Sequence, residues 1–355
     1  MSFYLIIFTL IISVTFLNIK LYKDSKILFY SLVFVFFVLF VGFRYEVGGD
    51  WYAYLEHYKE ISFDDIWFFI SSWDPGYVIV EYISKYLGLG IVGVNTLCAI
   101  IFFSCFFYFI KVFKIKLSYA LLIAYPYLIL VVLNGYSRQG VAIGLGMLFI
   151  SLIYQKKFFK SFLSLFFAVL FHKTAVILSL LYLYVFLHSK NKFIYKLLTL
   201  SIVFIFIFFI YKLYILEWMS LIKHYAIEKM QSTGGVIRIS INVIAASLLL
   251  FFSKRYKKVY DDYNIWMFFG YMSYFMLFTA LFFKTTTIAD RLCLYFYPLQ
   301  IVIFPRILAL FKAREMKYIF FFALICFYSF VLLVWLLFAQ HREAWIPYKN
   351  FLFLE

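Results

Sequence analysis

Charge is scarce in this chain. Only 14% of its 355 residues are charged, against 66% hydrophobic. A soluble core of that length could not hide so much apolar surface. The chain therefore reads as an all-α polytopic integral membrane protein, one integral domain over 1–355. Cysteine is nearly absent. Cys98, Cys105, Cys293 and Cys326 all lie inside apolar runs, with no C-x-x-C and no nearby His, which excludes a disulfide framework and a thiolate metal site. No carboxylates cluster at metal-ligand spacing, so neither a metal nor another cofactor is expected. A basic leader is missing as well. Met1 runs straight into an apolar stretch and Lys20, Lys23 and Lys26 follow it, the pattern of a first span starting outside and not of a cleaved signal peptide. Repeats, linkers and the inverted symmetry of many transporters are also lacking.

What charge there is, is strongly sorted. The net charge of +16 would point to nucleic acid in a soluble chain, but here it follows membrane topology, so the expected partner is a lipid bilayer. Apolar segments lie at about 1–18, 27–43, 91–110, 118–133, 140–154, 197–216, 239–253, 265–283, 292–311 and 318–338. Between them, six short loops (19–26, 111–116, 155–160, 188–196, 254–264 and 312–317) hold 19 of the 33 Lys and Arg. They hold only four of the 17 acids, Asp24, Asp261, Asp262 and Glu315. These loops should share the cytoplasmic face.

That condition decides two ambiguous stretches. Loops 155–160 and 188–196 share a face only if Ser161–His188 enters and returns as a re-entrant hairpin broken at His172. Its arms of about 11 and 14 residues are shorter than a full crossing needs. By the same parity, 75–110 crosses once, leaving 75–87 as a lateral helix on the outer side. The result is about 11–12 membrane helices, with both termini and the loop 44–74 outside.

Four outer elements carry ionisable groups at the membrane boundary, where charge is costly. Arg44 ends the second span, where its guanidinium can grip a phosphate bidentately or pair with Glu46 or Asp50. Asp50 can accept a proton or bind sugar hydroxyls. The short turn 134–140 puts Arg138 and Gln139 at a helix start, whose dipole favours an anion; a plain turn with an interfacial Arg is the other reading. At the hairpin tip His172 offers an imidazole suited to proton transfer near neutral pH, next to Lys173 and a candidate N-cap, Thr174. Asp290-Arg291 sits at the entrance of a late span, either as an internal ion pair or as functional charge, after Thr285 to Thr287. His57, His188, His224 and His341 lie in loops or tails and read as structural. In the outer loop Trp51, Tyr52, Tyr54, Trp67, Trp73 and Tyr77 have flat faces that can stack on sugar rings.

At these residues the sequence resembles the EpsG family of bacterial polysaccharide polymerases, related in role to Wzy-type polymerases. The likeness rests on an ordered set spanning most of the chain: Phe43-Arg44-Tyr45 with Gly48 to Asp50 and Tyr54, Asp74-Pro75-Gly76-Tyr77, Ser137-Arg138-Gln139, Phe171-His172-Lys173-Thr174-Ala175 and Asp290-Arg291. Asp74 stands where Glu is usual, and Lys173-Thr174 where a small residue and Ser are; both departures bear on sugar specificity. The resemblance implies donor and acceptor oligosaccharides carried on undecaprenyl diphosphate and joined on the outer face of the bacterial plasma membrane. The implied architecture is that of the C-type glycosyltransferases. In that frame His172 or Asp50 acts as base, and Arg44, Arg138 and Arg291 stabilise the diphosphate. Gln139, Asp74, Tyr77, Tyr54, Trp51, Lys173 and Asp290 bind substrate.

Rival readings are a lipid-linked oligosaccharide flippase, an oligosaccharide ligase and a membrane-bound acyltransferase. The flippase would need cations facing a cavity open to both sides, whereas the charges outside the loops gather on one. The ligase is not separated from a polymerase by these residues. Nor do they tell whether a chain-length regulator or a flippase works alongside. The topology is testable directly: Lys173→Cys, in a background without the four native cysteines, is expected to react with an impermeant thiol reagent from outside. Labelling only from the cytoplasm would overturn the hairpin.

Overall fold

The computed structural model describes residues 1–17, 23–187, 232, 234–282 and 286–353. The expected span at 197–216, the basic loop 188–196, His188 and His224 lie outside the described residues. Among those described, the regular structure is helical, as a lipid solvent demands when every backbone donor must find an acceptor within its own segment. Five helices are long and apolar enough to cross a membrane: Asp24–Gly42, Gly90–Val112, Ser137–Tyr154, Tyr263–Phe282 and Arg314–Phe338. Two bent pairs bring the number to seven, Gly235–Phe251 with Ser253–Val259 at 78° and Thr286–Phe296 with Pro298–Leu310 at 54°. Shorter apolar helices cover Ser2–Leu17, Leu117–Leu133, Phe158–Phe171 and Lys173–Val185. The chain is a polytopic membrane protein.

It divides into two compact units. The first comprises Met1–Ser151, Phe166–His172 and Tyr318–Glu355, the second Leu152–Leu165 and Lys173–Lys317.

In the first unit α1 (Ser2–Leu17) packs on α7 (Leu117–Ala124), and α2 (Lys23–Gly42) packs on α6 (Gly90–Val112). The segment between α2 and α6 is built from short helices: α3 (Trp51–Glu60), α4 (Ile66–Ser72) and α5 (Pro75–Tyr86), the last lying against α6. Pro75 opens α5 where its missing N–H costs nothing. With 12 residues, α5 is about 18 Å long, too short to cross a bilayer core. Helix α7 continues into a nine-residue π-helical stretch, Tyr125–Leu133, and a tight turn leads into α8 (Ser137–Tyr154).

The tail after Phe338 does more than end the chain. Its backbone pairs with the turn after α2, Tyr45 N–H donating to the Lys349 carbonyl at 3.0 Å and Phe351 N–H to that of Phe43 at 2.7 Å. Trp345 is 2% exposed; its indole N–H donates to the Leu130 carbonyl at 3.0 Å, and its own carbonyl accepts from the Tyr4 hydroxyl at 2.6 Å. Tyr348 stacks on Phe3 with centroids 4.6 Å apart. The start of α1, the tail and the turns at 43–50 and 134–136 thus share one end of this unit. Gly48 makes the closure possible. Its φ is +119°, and a Cβ there would lie 2.3 Å from the Asn134 carbonyl oxygen.

The hairpin is present. Helix α9 (Phe158–Phe171) stops before His172, a 3-10 turn covers Lys173–Leu178, and α10 (Ser179–Leu187) follows. In one continuous helix residues 158 and 182 would be about 36 Å apart. Instead the Tyr182 hydroxyl donates to the Phe158 carbonyl at 2.8 Å, so the arms return on each other. Thr174 is not the cap expected for the second arm. It lies inside the 3-10 turn, and its hydroxyl is 3.0 Å from that of Tyr295.

The second unit is organised by α11 (Gly235–Phe251), packed on α13 (Tyr263–Phe282) and α15 (Pro298–Leu310); a basic turn of helix, α12 (Ser253–Val259), leaves α11 sideways. Two of the four acids in the basic loops have internal partners. The Tyr154 hydroxyl donates to Asp261 at 2.8 Å. Asp262, 2% exposed, receives Arg306 Nη1 at 2.7 and 2.6 Å and Trp266 Nε1 at 2.8 Å. Removing one partner of such a buried pair strands the other charge. Asp262→Ala is therefore expected to cost about 3–5 kcal/mol, and Asp262→Leu with Arg306→Met to recover most of it, read as thermal midpoints in detergent. A midpoint unmoved in Asp262→Ala would show that the pair holds nothing.

Candidate functional site

The site in the first unit starts from the first turn of α5. Asp74 precedes Pro75 in an extended conformation, and its carboxylate does not cap its own helix. It is 5% exposed, and its Oδ2 lies 3.0 Å from Arg138 Nη1 and 3.5 Å from His172 Nδ1. Arg138 is the second residue of α8, and His172 the first residue beyond α9. The approach of α5 to α9 depends on Gly76, where a Cβ would sit 2.9 Å from the Phe171 ring and 3.1 Å from the Leu170 carbonyl carbon. Segments far apart in sequence thus meet at one carboxylate oxygen.

Arg138 lies against two aromatic rings, its guanidinium carbon 4.4 Å from the Trp73 ring centre and 5.5 Å from that of Tyr54, to which it is also hydrogen-bonded. Its Nε makes no hydrogen bond among the described residues. His172 Nδ1 is likewise buried without a hydrogen bond there, its 3.5 Å distance to Asp74 Oδ2 being longer than a formed bond. Both side chains keep an open edge, 26% exposed for Arg138 and 16% for His172. Asp50 stands nearby, accepting from the Tyr54 hydroxyl at 3.3 Å while its backbone N–H reaches the Gly135 carbonyl at 3.2 Å. Burial pushes the Tyr54 phenol above its ordinary range, so this hydroxyl stays a donor.

Arg44 is 1% exposed. The expected pairing with Glu46 or Asp50 does not form: Glu46, left-handed at φ 51°, pairs with Lys349 of the tail at 2.5 Å. Arg44 instead donates to the carbonyls of Val41 at 2.7 Å and Val47 at 3.2 Å, and to the Ser137 hydroxyl at 2.7 Å. Burial lowers its proton affinity, and it has no carboxylate partner among the described residues. It ties the end of α2 to the first residue of α8, one position before Arg138. A bidentate grip on phosphate would require these bonds to break.

Of the other expected residues, Gln139 is buried on α8. Trp51, Tyr54 and Tyr77 are at most 2% exposed, so protein already covers the faces expected for sugar, whereas Trp67 at 79% and Tyr52 at 62% are open. Lys173, Asp290 and Arg291 belong to the second unit. Asp290 and Arg291 lie in α14 (Thr286–Cys293), near the start of the bent pair Thr286–Phe296 with Pro298–Leu310. Asp290 does not pair with Arg291, since adjacent residues on a helix point about 100° apart. Its partner is Arg238, with Nε–Oδ1 2.9 Å and Nη2–Oδ2 2.5 Å, and the Ser232 hydroxyl joins at 3.0 Å. No three His, Cys, Asp or Glu among the described residues converge as metal ligands.

Sequence reasoning passed over Arg238, His57 and Glu81. His57 is not in a loop: it is a buried residue of α3, with Nδ1 2.9 Å from Glu81 Oε2. A signal existed, for Glu81 stands four residues after Tyr77 on the same face of the helix, within the apolar run Val78 to Ile83.

The fold and this site define a multi-span membrane protein with a carboxylate, a guanidinium and an imidazole gathered among aromatics at the start of one span. The chain belongs to the EpsG family, which it matches over residues 27–350, a Wzy-like polymerase family. Its role is accordingly polysaccharide polymerase-like, and its chemistry that of a glycosyltransferase-like polymerase at a coarse level. No curated protein and no solved structure matches it. Gly76→Val is expected to overpack α5 against Leu170 and Phe171 at a cost of about 1–3 kcal/mol, seen as a lower thermal midpoint. An unchanged midpoint would show that the close approach is not required.

Proposed function

We propose that this protein polymerises oligosaccharide repeat units carried on undecaprenyl diphosphate, at the extracytoplasmic face of a bacterial plasma membrane. The observation that carries the reading is the Asp74 carboxylate shared by Arg138 and His172; the sorting of basic loops to the other side supports the orientation. A hydroxyl of one lipid-linked oligosaccharide attacks the anomeric carbon of another. The new glycosidic bond forms, the bond to diphosphate breaks, and the lipid diphosphate leaves with the electron pair. His172, with Nδ1 turned to Asp74, takes the hydroxyl proton on its other ring nitrogen, and Asp74 stabilises the imidazolium. Arg138, whose Nη1 is engaged by Asp74, directs its remaining donors at the growing charge on the diphosphate. Asp50 and the exposed faces of Tyr52 and Trp67 are candidates for holding the acceptor sugars. Arg44 serves as an anchor for the start of α8.

The test is elongation by purified protein of a synthetic lipid-diphosphate repeat unit, read as a ladder of products. His172→Ala is expected to slow elongation about 10²–10⁴-fold, the usual contribution of a general base, and Asp74→Asn and Arg138→Ala to do comparable harm with insertion intact. Folded wild-type protein that builds no ladder would sink the polymerase reading. Transfer of a finished chain to a different acceptor would favour a ligase.

A further inference from the structure

Behind the reacting groups lies a second pair of titratable residues that the mechanism does not use. Glu81 is fully buried and His57 6% exposed, and they meet at 2.9 Å. His57 Nε2 and Glu81 Oε1 find no hydrogen-bond partner among the described residues. Burying a carboxylate this way is costly. Filling the same space with a leucine or a phenylalanine would not be, so packing alone does not account for the pair.

The imidazole has a definite neighbour. It stacks on the Trp73 indole, with centroids 3.8 Å apart and planes 17° from parallel. The Arg138 guanidinium carbon lies 4.4 Å from the same ring centre. With one face of the indole covered by the imidazole, the guanidinium reaches that centre from the other. A stack of His57, Trp73 and Arg138 results, held at one end by the carboxylate of Glu81 and at the other by that of Asp74. Trp73 also precedes Asp74 in the chain, so the indole plane sets both the platform under Arg138 and the backbone from which Asp74 projects.

We propose that His57, fixed by Glu81, is a positioning residue: it sets the plane of Trp73 and through it the geometry in which Arg138 and Asp74 meet a diphosphate. This rests on the polymerase reading of the site. Small misplacements of a binding group cost up to about 10²-fold in rate. His57→Ala is therefore expected to lower kcat/KM for the lipid-diphosphate donor about 10- to 100-fold. The discriminating measurement repeats that substitution in an Arg138→Lys background, where a compact ammonium cannot lie flat on the indole. If His57 works through Arg138, its loss costs clearly less there. A factor matching that in the wild-type background to within about twofold would mean independent structural damage and would overturn the proposal, as would an unaffected His57→Ala. His57→Phe combined with Glu81→Met, which keeps a stacking ring and removes the buried charge, is expected to restore most of the activity; failure to do so with the protein folded would also count against it. Should wild-type protein build no ladder, the polymerase reading falls. The same cycle is then measured as the affinity for farnesyl diphosphate. Coupling between positions 57 and 138 sustains the proposal there, and additivity or absent binding overturns it.

Discussion

A carboxylate buried in the interior of a membrane protein is tolerable only when cations and donors replace the water it has lost. Asp74, 5% exposed, satisfies that condition by drawing Arg138 and His172 to a single oxygen. The requirement acts on whole elements, because the three residues stand at the start of α5, the start of α8 and the end of α9. Where these ends meet, the chain is irregular for identifiable reasons: Pro75 opens one helix, a short turn precedes the second, and the third breaks before His172. Each break also leaves helix-terminal backbone groups near the charges, the arrangement that membrane proteins use where they handle ions and polar substrates.

Around this core the remaining interactions act as clamps. The tail pairs with the turn that carries Arg44, and Arg44 ties that turn to Ser137. The indole of Trp73 and the ring of Tyr54 lie against the Arg138 guanidinium, which Asp74 and Tyr54 also hold by hydrogen bonds. Arg138 keeps its Nε without a hydrogen bond among the described residues, whereas Arg44 commits all three of its nitrogens to carbonyls and the Ser137 hydroxyl. Two arginines that look alike in sequence thus do different work.

The membrane class, a short helix after Pro75 and the break at His172 were legible in the sequence, because charge sorting and hydropathy act along the chain and need no knowledge of contacts. Pairings were not. Arg44 could be read as gripping a phosphate or as pairing within a few residues; the tail, some three hundred positions away, takes Glu46 instead. Asp290 could be read as pairing with its neighbour or as functional charge; helix geometry disfavours the first, and Arg238 takes the carboxylate. His57 was lost among the aromatics of 44–74, where two short helices hide behind a composition that looks like one loop. The sugar-stacking role expected of Trp51, Tyr54 and Tyr77 fails on burial, which composition does not reveal. Residue types and their places along the chain could be read; who holds whom was set by tertiary packing.

The most direct measurement of the account is a double-mutant cycle on the stability of the purified protein, with Asp74→Asn and Arg138→Gln made singly and together. If Asp74 organises the site, the two substitutions couple by about 0.5–3 kcal/mol, with the double variant losing less than the sum of the singles. Effects that add to within about 0.5 kcal/mol would contradict it and leave the shared carboxylate as a bystander.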